Sequence, residues 1–131
     1  VFGSSVGWMV FYGAIMYGVR CKGVEIMASL VQVSQQVAAE HSVQGVEFEC
    51  RDMLQADLSK TCVLLLASQC WDADLKGLVR DKIERELPVG GIVIDYSDFL
   101  SSSAKLKQVC HVDGPVSWVD SLRFCVYRRS E

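Results

Sequence analysis

Two short apolar runs with an amphipathic stretch between them constrain this chain most. Thr61–Ala67 (Thr-Cys-Val-Leu-Leu-Leu-Ala) is continuously apolar, the pattern of a strand buried on both faces of a parallel sheet. Asp74–Leu87 sets Leu75, Leu78, Val79, Ile83 and Leu87 on one side of a helix, as a core-facing helix requires. Pro88-Val89-Gly90-Gly91 ends that helix, and Ile92–Tyr96 is the next strand. Parallel strands need a crossover of this length, so the segment predicts a strand-helix-strand unit of an α/β fold.

The first half repeats the alternation. Cys21–Ile26 predicts a strand, Met27–His41 a helix with Leu30, Val31, Val33, Val37 and Ala38 on one stripe, and Val46–Cys50 an alternating strand. Trp8–Tyr17 is apolar nearly all round and too long for an ordinary strand, and Gly18 stops it. It predicts a buried helix. At the other end, Leu106–His111, a turn at Asp113-Gly114-Pro115 and Leu122–Tyr127 predict a hairpin. The expected architecture is one α/β domain over residues 1–131, with a doubly wound, mostly parallel sheet and a C-terminal antiparallel hairpin. Val1-Phe2 is then the end of a first strand, expected to continue into apolar residues before Val1 and a helical segment before those.

Composition excludes several classes. Half of the 131 residues are hydrophobic and 22% are charged, which rules out a disordered chain. Sixteen acids against thirteen bases give a net charge of −3, no strong signal for nucleic acid or a membrane surface. The longest apolar stretch, Val6–Val19, is broken by Gly7, Gly13 and Gly18 and has no Lys or Arg before it. It predicts neither a membrane span nor a signal peptide. Six scattered cysteines without a CxxC pair suit a reducing, intracellular setting, cytoplasmic or nuclear.

A sheet of this kind binds ligands beyond the carboxyl ends of its strands, so the informative residues follow Phe2, Ile26, Cys50, Ala67 and Tyr96. Gly3-Ser4-Ser5-Val6-Gly7 lies between the first strand and the first helix. Small residues there let a ligand approach the backbone, and the helix start offers unpaired N–H groups to a carboxylate; a plain tight turn has the same composition. Glu25 ends the second strand with Ile26 beside it, about 20 residues past the glycine turn, where an acid grips ribose hydroxyls in nucleotide-binding folds. A salt bridge to Lys22 or Arg20 is its bland alternative. Asp52, with Met53 beside it, suits an adenine that needs an acceptor and an apolar wall, or else caps a helix.

After the fourth strand come Ala67-Ser68-Gln69-Cys70-Trp71-Asp72. Trp71 either walls a substrate pocket or covers the core at a helix start. His41 and His111 lack metal-ligand spacing to the cysteines, and Cys70 lacks a neighbouring His that would activate a nucleophile.

Taken in order, Gly3-x-Ser5-x-Gly7, Gly23-Val24-Glu25, Arg51-Asp52-Met53 and Leu87-Pro88-Val89-Gly90-Gly91 resemble the successive motifs of class I, Rossmann-like S-adenosylmethionine-dependent methyltransferases. Nicotinamide dehydrogenases fit less well, since their G-x-G-x-x-G needs glycines at Ser5 and Trp8. Within the class, Gly3–Trp8, Gly23–Ile26 and Pro115-Val116-Ser117-Trp118 are most similar to the non-SET, nucleosome-directed lysine methyltransferases. The resemblance implies S-adenosyl-L-methionine as cofactor, held at Gly3, Ser4, Ser5, Gly7, Glu25, Ile26, Asp52, Met53 and Ser68. It implies methyl transfer by direct displacement, with a protein side chain as the acceptor class. The chain departs from the family pattern at Val1, where an acid is usual, at Ser5 for the middle glycine, and in the loop after the fourth strand. There Ser68 or Gln69 has to substitute for the usual Asn facing the methyl donor, and Ser68, Gln69 and Trp71 are the catalytic candidates. A catalytically degenerate binding or scaffold module is the alternative those departures favour.

Overall fold

The computed structural model describes residues 1–131 as two compact units, Val1–Ala56 and Asp57–Glu131.

The first unit contains, in chain order, helix α1 (Trp8–Tyr17), strand β1 (Cys21–Glu25), helix α2 (Ala28–Glu40) and strand β2 (Val46–Cys50). β1 and β2 pair in parallel, from Cys21 opposite Val46 to Glu25 opposite Cys50. Phe2 adds an isolated parallel bridge to Val24 on the other side of β1. The core is Val10, Val31 and Phe48, with Val1, Phe11, Cys21, Ala38 and Val46 packed around it. Phe11 and Phe48 meet at 5.1 Å between ring centroids in a tilted pair, a favourable aromatic geometry.

The expected helix at Trp8–Tyr17 forms, but it is not buried. Val10 is its one buried residue, and Trp8, Met9, Tyr12, Ile15, Met16 and Tyr17 are all exposed. An all-round apolar sequence says that no side of a helix needs water; it does not say which sides are covered.

The second unit contains strand β3 (Val63–Leu66), helix α3 (Ala73–Glu86), strand β4 (Ile92–Asp95), and the long strands β5 (Leu106–Val116) and β6 (Val119–Arg129). Their order in the sheet is β3-β4-β6-β5. β3 and β4 are parallel, and β6 runs antiparallel to both β4 and β5. Within the units, parallel and antiparallel pairings are therefore equally represented, and the sheet of the second unit is mixed. Leu64, Leu66, Val79, Ile83, Val93, Leu100 and Tyr127 are among its buried side chains. Val63 is largely exposed, so β3 is shorter than the apolar run containing it and is not covered along all of it.

α3 starts where its sequence says it should. Asp72 accepts from the Leu75 amide at 2.8 Å, an N-cap of the ordinary kind, and Asp74 sits in the first turn against Arg85 in the last, both favourable to the helix dipole.

The hairpin forms, but its turn lies at Ser117-Trp118, between the paired residues Val116 and Val119, not at Asp113-Gly114-Pro115. Asp113 is instead inside β5, bound by the Arg123 guanidinium through bonds of 2.9 and 3.1 Å. Pro115 falls at a register shift between Gly114 and Val116 on the edge strand, a place where a residue without an N–H is tolerated.

Candidate functional site

In the first unit the residues singled out from the sequence converge on the carboxyl ends of β1 and β2. The chain enters through Phe2, whose neighbours Gly3 and Ser4 both donate their amides to the Val24 carbonyl, at 3.0 and 3.2 Å. It then turns through Gly3, Ser5 and Gly7, with φ of 70°, 49° and 86°. Left-handed backbone is cheap for glycine and costly for serine, so Ser5 is held there by its surroundings. Its amide donates to Glu25 Oε2 at 3.0 Å, and its carbonyl accepts from the Ser34 hydroxyl of α2 at 3.4 Å. Gly7 closes the turn, its amide donating to the Ser4 carbonyl at 2.8 Å. A Cβ on Gly7 would stand 2.6 Å from the Phe48 ring. That position is therefore glycine for two reasons, conformation and space.

Two further observations fix the turn against β1. Ser4 is buried, and a Cβ at Gly23 would meet its Oγ at 2.7 Å and its Cβ at 2.8 Å. The missing side chain at Gly23 is what lets the turn lie on the strand. α1 then begins at Gly7 without any side-chain cap, so its first amides find no side-chain acceptor.

Glu25 is half-buried at the end of β1. Its Oε1 accepts from the Met27 amide at 3.1 Å, at the start of α2, where a negative charge is stabilised by the helix dipole. It makes no ion pair with Lys22, which is engaged instead with Glu47 and Glu49 of β2 at 3.0 and 2.6 Å. Those bonds hold the Glu49 carboxyl below the usual carboxylate range. Each Glu25 oxygen thus accepts one backbone N–H and keeps further acceptor capacity. Ile26 and Met27 are exposed beside it.

Asp52 lies two residues beyond Cys50, the register partner of Glu25. Its Oδ1 accepts from the Leu54 amide at 2.9 Å and caps the short 3₁₀ turn Met53–Gln55. Asp52 and Met53 are both half-buried. The capping role weighed from sequence is real, and it leaves Oδ2 without a protein donor.

Ser68, Gln69 and Trp71 belong to the second unit, at the carboxyl end of β3. Ser68 is fully buried and donates its hydroxyl to Asp95 Oδ1. Gln69 is exposed, and Trp71 is half-buried with its amide on the Ser68 carbonyl at 3.1 Å. Asp95, also fully buried, accepts on Oδ2 from the amide and hydroxyl of Ser97 at 3.0 and 2.7 Å. This carboxylate was not singled out from the sequence. It ends an apolar strand, Ile-Val-Ile-Asp, and a lone acid after a buried run is the one signal it gives. A cavity of about 370 Å³ beside Lys60, Cys62 and Gly90 lies at the opposite, amino ends of β3 and β4.

No protein-family model matches the sequence, and no curated protein matches it either. Solved structures do match. The RNA methyltransferase from Salinibacter ruber in complex with S-adenosyl-L-homocysteine aligns with TM-score 0.77 and 24% identity, over 99% of this chain and 78% of that one. The N-methyltransferase NodS from Bradyrhizobium japonicum WM9 aligns with TM-score 0.72 and 16% identity, over 99% and 84%. A mutant of MtNAS in complex with S-adenosylmethionine aligns with TM-score 0.77 and 19% identity, over 99% of this chain and 53% of that chain. The chain spans about half the length of that last protein. Its fold is the one these structures share. Sharing it at these identities fixes the architecture, an α/β fold with mixed sheets.

Proposed function

We propose that the chain is a class I S-adenosylmethionine-dependent methyltransferase. The observation that carries this reading is the bond from the Ser5 amide to Glu25, which joins the glycine turn to the acid ending β1 in a chain with that fold. The donors and acceptors present fit the cofactor. The turn Gly3–Gly7 and the uncapped start of α1 suit its carboxylate. The remaining lone pairs of Glu25 suit two ribose hydroxyls, and Asp52 Oδ2, with Met53 next to it in the chain, suits the adenine amine and ring. When bound, S-adenosylmethionine supplies an electrophilic methyl group that a nucleophile takes by direct displacement. The chain's own contribution is then alignment and exclusion of water, with no nucleophilic side chain required of it.

On the narrower resemblance carried by Gly3–Trp8, Gly23–Ile26 and Pro115–Trp118, we take the acceptor to be a protein side chain, as in the nucleosome-directed lysine methyltransferases. A net charge of −3 supports a protein over an RNA acceptor. The two parallel pairs β1–β2 and β3–β4 support the doubly wound arrangement as part of the same reading, and the free cysteines support an intracellular setting.

A second reading has its own observation. The Ser68 hydroxyl is buried and spent on Asp95, so it does not face an acceptor, which favours a cofactor-binding module without turnover. Calorimetric titration with S-adenosylmethionine and S-adenosylhomocysteine, followed by transfer of labelled methyl to protein, RNA and small amines, separates the readings. Binding with transfer to protein is the expected result. Binding without transfer to any acceptor selects the module, and no binding at millimolar ligand overturns both.

A further inference from the structure

The proposed chemistry gives Asp95 no task, yet this carboxylate is fully buried at the end of β4. A buried charge is tolerated only where donors satisfy it. Asp95 has three, the Ser68 hydroxyl on Oδ1 and the Ser97 amide and hydroxyl on Oδ2. The carboxylate cannot spare them without stranding its charge, so Ser68 is locked. With it is locked the 3₁₀ turn Ser68–Cys70 at the carboxyl end of β3, which the Trp71 amide closes on the Ser68 carbonyl at 3.1 Å. β3 and β4 are register partners at Leu66 and Asp95, so the bond ties one strand end to the next.

That lock decides which side chain of the loop is left to meet a ligand. Direct displacement requires the nucleophile's lone pair to point at the methyl carbon. The new bond forms as the carbon–sulfur bond breaks, the electron pair stays on sulfur, and the nucleophile's proton passes to water. A group that accepts the nucleophile's N–H or O–H fixes its direction. Ser68 is buried and spent on Asp95. Asp72 is committed to the Leu75 amide at the start of α3. The Trp71 indole only donates, and the Cys70 thiol accepts weakly. Gln69 is exposed and takes part in none of these bonds. Its carboxamide oxygen is a full acceptor and no base, which suits a reaction that needs alignment rather than proton abstraction.

We propose that Gln69 orients the methyl acceptor through its side-chain oxygen, and that Asp95 is a positioning residue that holds Gln69 in place through Ser68. The proposal rests on the methyl-transfer reading and adds to it the residue that aligns the nucleophile.

The full chain and its variants are compared on whichever of purified core histones, tRNA and n-butylamine takes up labelled methyl. Gln69→Met keeps the side chain's length without its acceptor and should lower kcat at least about tenfold, with S-adenosylhomocysteine affinity unchanged by calorimetry. Gln69→Glu keeps an acceptor oxygen and should stay within about threefold of the parent. Ser68→Ala should also slow transfer, and adding it to Gln69→Met should slow transfer no further, because it acts through Gln69. A second readout needs no ligand: in Ser68→Ala, hydrogen exchange at the Trp71 amide should speed up while α3 keeps its protection. A Gln69→Met variant with the parent's kcat overturns the proposal and leaves the methyl-transfer reading standing. So does a Ser68→Ala variant whose slowing adds in full to that of Gln69→Met, or whose exchange at Trp71 is unchanged. A parent chain that methylates none of the three acceptors overturns the proposal together with the reading beneath it.

Discussion

Ser5 and Glu25, twenty residues apart, are joined by a bond of 3.0 Å from the backbone amide of one to the carboxylate of the other. The carboxylate proposed to grip a ribose is therefore also a structural clamp on the turn that would receive the rest of the ligand. One oxygen holds the turn and the other holds the start of α2.

Glu25→Ala is accordingly expected to lose both properties together. Two backbone amides lose their acceptor, which should cost about 1–2 kcal/mol of stability. Ligand affinity should fall by roughly 2–4 kcal/mol, as two charge-assisted bonds to the ribose disappear. Urea denaturation and calorimetric titration on the same variant give both numbers. A stability loss with unchanged affinity would remove Glu25 from the ligand site.

Gly23→Ala tests how closely the turn lies on β1. The added methyl would stand 2.7 Å from Ser4 Oγ, so Ser4 must move, at an overpacking cost of about 1–3 kcal/mol. The double variant with Ser4→Gly removes the colliding atoms and should recover part of that loss in a thermal melt. No recovery would place the strain elsewhere.

Tyr127 predicts an alkaline limit. Its side chain is fully buried and its hydroxyl has no hydrogen-bond partner. Burial, reinforced by the neighbouring Cys125, pushes its ionisation well above the ordinary value of 10.0. The folded state keeps a proton that the unfolded state releases, so this contribution is intact below pH 10 and is lost as pH rises beyond it. Tyr127→Phe should remove that part of the alkaline loss and, by deleting an unpaired buried hydroxyl, stabilise the protein at neutral pH by about 1 kcal/mol. Denaturation midpoints measured between pH 7 and 11 check both signs.

Asp95 organises the loop after β3. Asp95→Ala strands the Ser68 and Ser97 hydroxyls and the Ser97 amide, with an expected loss of about 2–4 kcal/mol. Hydrogen exchange should speed up at residues 68–71 and 97 before it does in α3. Uniform acceleration across the second unit would mean that the bonds hold the whole sheet rather than this loop.

How much of this was legible in the sequence depended on how local the signal was. β2 forms at the predicted Val46–Cys50, and α2 and α3 lie within a residue of their expected bounds, because alternation and helical periodicity are local patterns. The hairpin turn was misplaced because Asp-Gly-Pro has turn chemistry, and it took the register of β6 to show it as a bulge. α1 was legible as a helix but not as an exposed one, since burial depends on partners the local pattern does not name. At the site, the residue types of Gly3, Gly7, Glu25 and Asp52 pointed to the carboxyl ends of β1 and β2, and the structure brings those residues together there. The amides that Glu25 holds, and the burial of Ser68 against Asp95 (two elements distant in sequence), depend on long-range placement and left no mark in the motifs.

The irregular course of β5 has a consequence for the life of the protein in a crowded cell. β5 is the outermost strand of its sheet, eleven residues long and mostly exposed, and such a rim invites a strand from another molecule to add on. Two register shifts, one at Gln108/Cys110 and one ending at Val116, bend the rim, and Pro115 lacks the N–H that an incoming strand would require. The residue that looked like a turn therefore acts as a stop to growth: the sheet ends at β5 because its last strand offers no straight, fully donating edge on which to continue.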